Sequence, residues 1–132
     1  HSEFNASDKE RVHFLQIWLL PSRRGSAPGY EQKSFEAEDK RGRLRLVASP
    51  DGADGSVTVR ADAKLYASLL DRGQRVEHVV GPGRHAWIQI ARGKVDVAGQ
   101  GLDAGDGASS SDAGDLPIVG VEAAELLVFD LG

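Results

Sequence analysis

The sequence predicts an all-β domain, a sandwich or barrel built from about ten short strands. Turn signals recur at short intervals, among them Asp54-Gly55, Arg72-Gly73, Gly81-Pro82-Gly83 and Arg92-Gly93. The segments between them are short and rich in Val, Ile, Leu and aromatic residues, which favours strands over helices. In the segment 86–91 the residues Ala86, Ile88 and Ile90 share one face, as a half-buried strand requires.

The first predicted strands cover residues 12–20, which are apolar on both faces, and residues 30–35. Five more follow between turn signals, at 43–48, 57–59, 64–70, 76–80 and 86–91. In 95–97 two valines face inward and Asp96 faces water, and Arg92-Gly93 before it indicates a hairpin. The last two strands are 117–121 and 125–131, after a Gly- and Ser-rich stretch, 99–115, that is expected to be loop apart from a short strand.

Helix candidates are few. Residues 35–41 are polar and short. Residues 62–71 could form a helix, because Leu65, Leu69 and Leu70 fall at helical spacing. We favour a strand there because turns bracket the segment at the usual interval.

Composition indicates one domain with its own core. The chain has 132 residues, of which 40% are hydrophobic, so it can bury roughly two thirds of its unfolded surface. It contains no cysteine, which excludes disulfides, thiolate zinc sites and cysteine nucleophiles and fits a cytoplasmic location. It contains no methionine either, so we expect a fragment or a processed chain that does not show the native start.

The charge pattern argues against nucleic-acid and membrane partners. The net charge is −4 and the isoelectric point is about 5.5, whereas phosphate-binding surfaces are basic. No apolar stretch approaches the roughly 20 residues that span a bilayer, and the N-terminus lacks a signal-peptide pattern. We therefore expect a cytoplasmic protein that binds neither nucleic acid nor membranes.

The opening His1-Ser2-Glu3 is the best candidate for a metal site. On a strand, an imidazole and a carboxylate two residues apart point to one face and can reach one ion. Three protein ligands are the usual minimum for a catalytic metal, so the pair is at most a partial site of low occupancy. An alternative is that Glu3-Phe4 is a cloning scar and His1 the end of a tag.

Several motifs together resemble the pirin-like bicupins, a family that includes enzymes with quercetin 2,3-dioxygenase activity. They are His1-Ser2-Glu3-Phe4-Asn5, the run 12–21 (VHFLQIWLLP), 28–32 (PGYEQ), 62–66 (DAKLY), 87–97 and Gly105-Asp106-Gly107. The resemblance covers nearly the whole chain. It implies a cupin-type double-stranded β-helix, or jelly-roll barrel, with little or no helix, and it makes Gly105-Asp106-Gly107 the corner that closes a cupin hairpin.

In that family two cupin barrels stand in tandem, and the first holds one divalent metal, usually iron, through three histidines and a glutamate. The resemblance matches His1 to the third histidine and Glu3 to the glutamate, which would take the substrate hydroxyl proton in the full-length parent. The other two histidines lie upstream, so the sequence starts after them. Residues 1–29 would be a remnant strand of the N-terminal cupin plus a linker, and residues 30–132 the C-terminal cupin domain.

The second barrel is not expected to hold a metal. The family's ligand positions fall near residues 79–82 and on Ala86, and none of these is a ligand. His78 and His85 lie nearby, but a turn separates them and their spacing places them on opposite faces. Trp18 and Trp87 are expected to pack in the core or between sheets rather than to form ligand platforms.

Two functions follow. In the first, the chain is a structural partner that covers the metal barrel of a metal-dependent dioxygenase, binding no iron and remaining inactive alone. In the second, it is a non-catalytic protein-interaction module, as in pirin-like regulators of transcription or metabolism. The expected partner is the N-terminal cupin domain of the same protein, and the apolar residues 12–20 allow a homodimer.

Overall fold

Strands occupy most of the chain after residue 45. The computed structural model describes residues 2–132, and in this range it has ten strands, one short helix and a 3₁₀ turn at Ala53–Gly55. The helix is α1 (Ala37–Lys40), and the strands are β1 (Arg45–Ser49), β2 (Val57–Thr58), β3 (Ala63–Leu70), β4 (Arg75–Val80), β5 (His85–Arg92), β6 (Lys94–Val97), β7 (Gln100–Asp103), β8 (Gly107–Ser110), β9 (Gly114–Gly120) and β10 (Ala124–Leu131). The all-β prediction is confirmed.

The strands form two sheets. One has six strands in the order β2-β1-β3-β10-β5-β8, and the other has four in the order β4-β9-β6-β7. Pairing is antiparallel except between β1 and β2, which are parallel. In the longest ladders, β10 lies between β3 and β5, so that Leu126 is opposite Ser68 on one side and Ile90 on the other.

The core lies between the two sheets, and the alternation of side chains predicts which residues enter it. Ala86, Ile88 and Ile90 of β5 are buried, as are Val95 and Val97 of β6, so both inward faces predicted from the sequence are confirmed. Complete burial of an aliphatic side chain of this size contributes about 1.5–3 kcal/mol. One cluster joins the residues of both sheets, including Leu70, Val76, Leu102, Leu116, Ile118, Leu126 and Val128.

The predicted hairpin at Arg92-Gly93 is wrong. β5 belongs to the six-stranded sheet and β6 to the four-stranded sheet, so the chain changes sheets at this point. Gly93 has a φ of +74°, and a Cβ on it would overlap the carbonyl oxygen of Ala123. The glycine therefore allows a corner between sheets in which two backbone segments touch.

The prediction that residues 99–115 are loop apart from one short strand is also wrong. This stretch contains β7, β8 and the start of β9, which pair with β6, β5 and β4. Gly and Ser are poor strand formers, but ladder hydrogen bonds use the backbone, and neighbouring strands supply them here. The expected corner at Gly105-Asp106-Gly107 exists, yet it joins β7 to β8 across the two sheets and does not close a hairpin.

Residues 12–20 and 30–35 do not form the strands predicted for them. Neither segment has a ladder partner among residues 2–132, and a strand exists only by pairing. Instead, side chains tie 30–35 to the barrel, because the Lys33 ammonium donates to the carbonyl of Ser56 at 2.7 Å. Residues 13–19 lie against the outer face of the six-stranded sheet, where they line clefts with side chains of β5 and β10.

Two smaller predictions can be compared directly. Residues 62–71 contain β3 and no helix, as the bracketing turns indicate. The polar segment 35–41 contains the four-residue α1. No helix in the described part of the chain is both long and apolar enough to cross a membrane.

Candidate functional site

The first candidate site residue, His1, lies outside the described residues. Glu3 is exposed and lies at a cleft of about 370 Å³ whose other lining residues are Phe4, Asn5, Val12, Phe14 and Leu15. The structure therefore neither joins nor separates the predicted pair.

A compact turn follows Glu3. The Asn5 side-chain amide donates to the carbonyl of Glu10 at 2.6 Å, and the Asn5 side-chain oxygen accepts from the Ser7 backbone at 3.1 Å. Ser7 Oγ in turn accepts from the backbone of Glu10 at 2.9 Å. These local bonds are typical of Asn and Ser in turns, and they give residues 5–10 a defined conformation without strand pairing.

The described residues do not by themselves fit the iron that the family resemblance implies. Within residues 2–132 no group of three His, Asp or Glu side chains lies close enough to hold a metal ion. A catalytic metal takes at least three protein ligands in most sites. Glu3 is the only predicted ligand in the described range, so further ligands would have to come from outside it.

His78 and His85 lie in different sheets and differ in solvent exposure. His78 is buried on the inner face of β4, whereas His85 is exposed on β5 in the other sheet. The His85 ring nitrogen Nδ1 lies 2.8 Å from Ser111 Oγ, and the ring is in solvent. The structure does not bring the two histidines together as a metal-binding pair.

A row of exposed apolar side chains lies along residues 4–20, which we call the apolar arm. Phe4 and Trp18 are each 87% exposed, and Leu20 is 92% exposed. Val12 and Phe14 are also exposed. Scattered apolar residues are normal on a surface, but a contiguous row is typical of an interface.

The opposite side of the apolar arm rests on the barrel. Leu15, Ile17 and Leu19 line a cleft of about 330 Å³ together with Leu127 and Phe129 of β10. At the other end of the arm, Arg92 Nε donates to His13 Nδ1 at 3.2 Å. The arm thus has one face on the six-stranded sheet and one face in solvent.

The two tryptophans do not occupy the core. Trp18 belongs to the exposed face of the arm, and the prediction that it packs is wrong because its side chain is 87% exposed. Trp87 lies on the outer face of β5 and is 40% exposed. Its ring covers the backbone of Gly107, where a Cβ would overlap it, so Trp87 packs on a strand edge and not between the sheets.

Residues after the arm are fastened to β2. A cleft of about 630 Å³ separates residues 17–31 from residues 58–61. Across it, Glu31 accepts the backbone N–H of Thr58 at 3.1 Å, and this hydrogen bond lowers the pKa of the Glu31 carboxyl. The Arg60 guanidinium donates to the carbonyl of Ala27. The segment predicted as a linker therefore follows the surface of the barrel.

A polar cluster at one end of the barrel was not predicted from the sequence. Arg84 Nε donates to Asp130 Oδ1 at 2.6 Å, and Arg84 Nη1 donates to Asp62 Oδ1 at 2.7 Å. His78 Nε2 lies 3.6 Å from Asp130 Oδ2, and the ring of Tyr66 lies 5.7 Å from that of His78. The available signal was strand parity, which puts His78 and Asp130 on the same faces as buried valines.

The environment of this cluster shifts three pKa values. Burial lowers the pKa of His78, and the Asp130 carboxylate opposes this shift. Burial and the charge of Asp130 both raise the pKa of Tyr66. Hydrogen bonds to Asp62 and Asp130 raise the pKa of Arg84, which is charged throughout the accessible pH range.

Comparison with known sequences places the chain in a family. A family model described as the quercetinase C-terminal cupin domain matches residues 46–131. A quercetin 2,3-dioxygenase of Escherichia coli K12 is 37% identical over 131 residues, which are 99% of this chain and 55% of that protein. A pirin-like protein of Caulobacter vibrioides is 33% identical over 132 residues, covering 98% and 56%. The chain spans about 55% of the length of these relatives.

Solved structures support the same family assignment. YhhW from Escherichia coli matches with a TM-score of 0.81 at 34% identity, over 87% of this chain and 48% of that one. The structure of bacterial pirin YhhW in complex with nickel(II) matches with a TM-score of 0.77, over 84% of this chain and 47% of that one. These likenesses confirm the cupin fold that the sequence motifs imply. The chain belongs to the quercetinase C-terminal cupin domain family and is the C-terminal cupin part of a pirin-like protein.

Proposed function

We propose that this chain is the non-catalytic half of a pirin-like dioxygenase and that its apolar arm packs against a metal-bearing N-terminal cupin domain of the same polypeptide. The exposed row of apolar side chains at 4–20 carries this proposal. Burying an aromatic or aliphatic side chain that is now about nine-tenths exposed would contribute roughly 1.5–3 kcal/mol. Such a row is therefore expected to be covered in the full protein.

The lengths of the relatives support a protein of two domains with different roles. The chain spans about 55% of the matched quercetin 2,3-dioxygenase, which leaves room for a second domain of similar size. The resemblance gives Glu3 a place in the metal site of that domain, with His1 beside it. In the proposed parent, Glu3 would receive the substrate hydroxyl proton, and the metal, iron in the family, would supply the chemistry toward dioxygen. We place the parent in the cytoplasm.

A chimera tests the proposal. The part of the Escherichia coli K12 quercetin 2,3-dioxygenase that precedes the matched region is fused to His1 of this chain. We expect the chimera to bind one equivalent of Fe²⁺ or Ni²⁺ and to consume quercetin and dioxygen. The 132-residue chain alone is expected to do neither in the same assay.

Two variants of the chimera distinguish the role of the metal site from that of the interface between the domains. Glu3→Gln should abolish quercetin loss while the domains stay docked. The double variant Trp18→Ser and Leu20→Ser should instead loosen the docking, detected as faster proteolysis between the domains. Stoichiometric metal binding with quercetin consumption by the isolated chain would disprove the proposal.

The alternative function, a protein-interaction module, has a different signature. It requires that the apolar arm stay accessible in the full-length protein. Protection of Trp18 from fluorescence quenchers in the chimera argues for the structural role. Quenching as strong as in the isolated chain would favour the interaction module instead.

A further inference from the structure

An unpartnered imidazole nitrogen lies inside the second barrel. His78 is 6% exposed, and its Nε2 has no hydrogen-bond partner among residues 2–132. Asp130 Oδ2 lies 3.6 Å from this nitrogen, which exceeds a hydrogen-bond distance. A buried polar atom without a partner destabilises the folded state, so its retention calls for an explanation.

The carboxylate in front of His78 is already held by another cation. Arg84 Nε donates to Asp130 Oδ1 at 2.6 Å, and Arg84 Nη2 donates to the Asp130 carbonyl at 3.1 Å. Through Nη1 the same guanidinium reaches Asp62, which precedes β3. Arg84 thus fastens the end of β10 to the residue before β3, because the several N–H donors of one guanidinium reach both.

The other groups around His78 leave Asp130 as its main electrostatic partner. β3 presents the Tyr66 ring, and Lys64 on the same face is opposite Asp130 in the ladder but exposed. β9 presents Leu116, which pairs with His78 across the four-stranded sheet. Asp130 is the charged group that acts on His78.

We propose that His78, Asp130 and Arg84 form a proton-linked latch in the barrel. A proton taken from solvent by His78 Nε2 supplies the donor that is missing across the 3.6 Å gap. The imidazolium then attracts Oδ2 while Arg84 Nε holds Oδ1, so two cations share one carboxylate charge, and the hold of Arg84 on the end of β10 weakens. Loss of the proton restores the neutral ring and the closed latch.

The position of the latch gives it a route to the apolar arm. Asp62, Leu131 and Gly132 line a cleft with Trp18 and Leu20, where the arm crosses the barrel. The Gly132 backbone donates to the carbonyl of Asp62 at 3.1 Å, which connects the residue after β10 to a partner of Arg84. Acidification should therefore loosen the seat of the arm. The latch stands on the barrel alone and does not depend on the proposed dioxygenase.

Burial lowers the pKa of His78, so the latch is closed at neutral pH and opens only on acidification.

The test is an NMR titration of the 132-residue chain. The His78 ring and the Arg84 Nε–H are followed together as the pH falls. We expect the Arg84 Nε–H signal to move with the same midpoint as the His78 ring, because both report on one carboxylate. If the Arg84 signal stays constant while His78 titrates, the proposal is wrong, and this comparison needs no variant.

Charge variants test the competition itself. Arg84→Gln frees Asp130 for His78 and should raise the His78 midpoint by about one pH unit. Arg75→Gln is the matched control, because Arg75 is on the same strand three residues before His78 and pairs with Glu77 at 2.6 Å. Equal shifts in the two variants would overturn the latch, since removal of any nearby cation would then explain the change.

Discussion

At the scale of single residues, Gly93 shows how one backbone position sets the path of the chain. Its φ of +74° and its contact with the Ala123 carbonyl leave no room for a side chain. We predict that Gly93→Ala lowers the free energy of unfolding by at least about 2 kcal/mol, because strain in the left-handed region adds to a backbone clash. The urea midpoint of the purified chain measures the loss.

Gly73→Ala is the control for this prediction. Gly73 also has a positive φ, +81°, but a Cβ there would meet nothing within 4 Å. Only the conformational strain remains, so the loss should be about 1 kcal/mol. Equal losses at the two positions would show that the approach of Ala123 does not matter.

The buried His78 makes stability depend on pH in a defined direction. Its pKa is lowered from the ordinary value of 6.5, so near that pH the unfolded chain takes up the proton first. The free energy of unfolding should fall as the pH drops below 6.5 and level off below the folded-state pKa. His78→Leu should show a smaller fall between about pH 7.5 and about pH 5.5 in urea unfolding.

His85 provides a matched control for the pH dependence. It is exposed and pairs with Ser111. His85→Leu therefore removes one imidazole without removing a buried one. If it flattens the profile as much as His78→Leu does, burial of His78 is not the cause.

At the scale of elements, the alternation along the strands separates two kinds of position. Ile118 of β9 is fully buried, whereas Val79 of β4 is 62% exposed on the other side of the same sheet. Ile118→Ala should cost about 2–5 kcal/mol of unfolding free energy, through lost burial and the remaining cavity. Val79→Ala should stay within about 0.5 kcal/mol, and a urea titration compares them. A large loss at Val79 would mean that this face is covered.

Strand prediction succeeded where the pattern is local and failed where pairing decides. Residues 86–91 and 95–97 alternate clearly, and both lie in strands. Residues 12–20 are strongly apolar but have no ladder partner in the described chain, whereas the Gly- and Ser-rich 99–115 has partners and forms strands. The sequence pattern reports which residues suit a strand, but hydrogen bonding between distant segments decides whether it forms.

At the scale of the whole molecule, the apolar arm is the surface that we expect to govern association. The exposed side chains of Phe4, Trp18 and Leu20 form an apolar row whose contact with water is unfavourable. We predict that the isolated chain forms dimers through residues 12–20 as its concentration rises, which sedimentation velocity would detect. A chain with Trp18→Ser and Leu20→Ser should remain monomeric to a concentration about ten times higher.

A monomer at every accessible concentration would contradict this prediction. Variants of Val79, which is exposed but lies outside the arm, serve as a control for general surface hydrophobicity. They should leave the association unchanged.

The candidate sites were predictable to different degrees. The motif beginning at His1 identified the family, since Ser2, Glu3, Phe4 and Asn5 continue into the run 12–21. The cluster of His78, Arg84 and Asp130 was not predicted, because its members lie on β4, the turn after it and β10. Only the folding of β10 beside β3, facing β4, brings them together.

Local residue patterns thus predict the all-β class, the inward faces of β5 and β6, and the membership in the pirin-like family. The tertiary structure was needed for the sheet change at Gly93, the strands within 99–115 and the position of the apolar arm. The reason is that alternation and motifs depend on neighbours along the chain. Strand partners, close backbone contacts and buried charge pairs depend on residues that are distant in sequence.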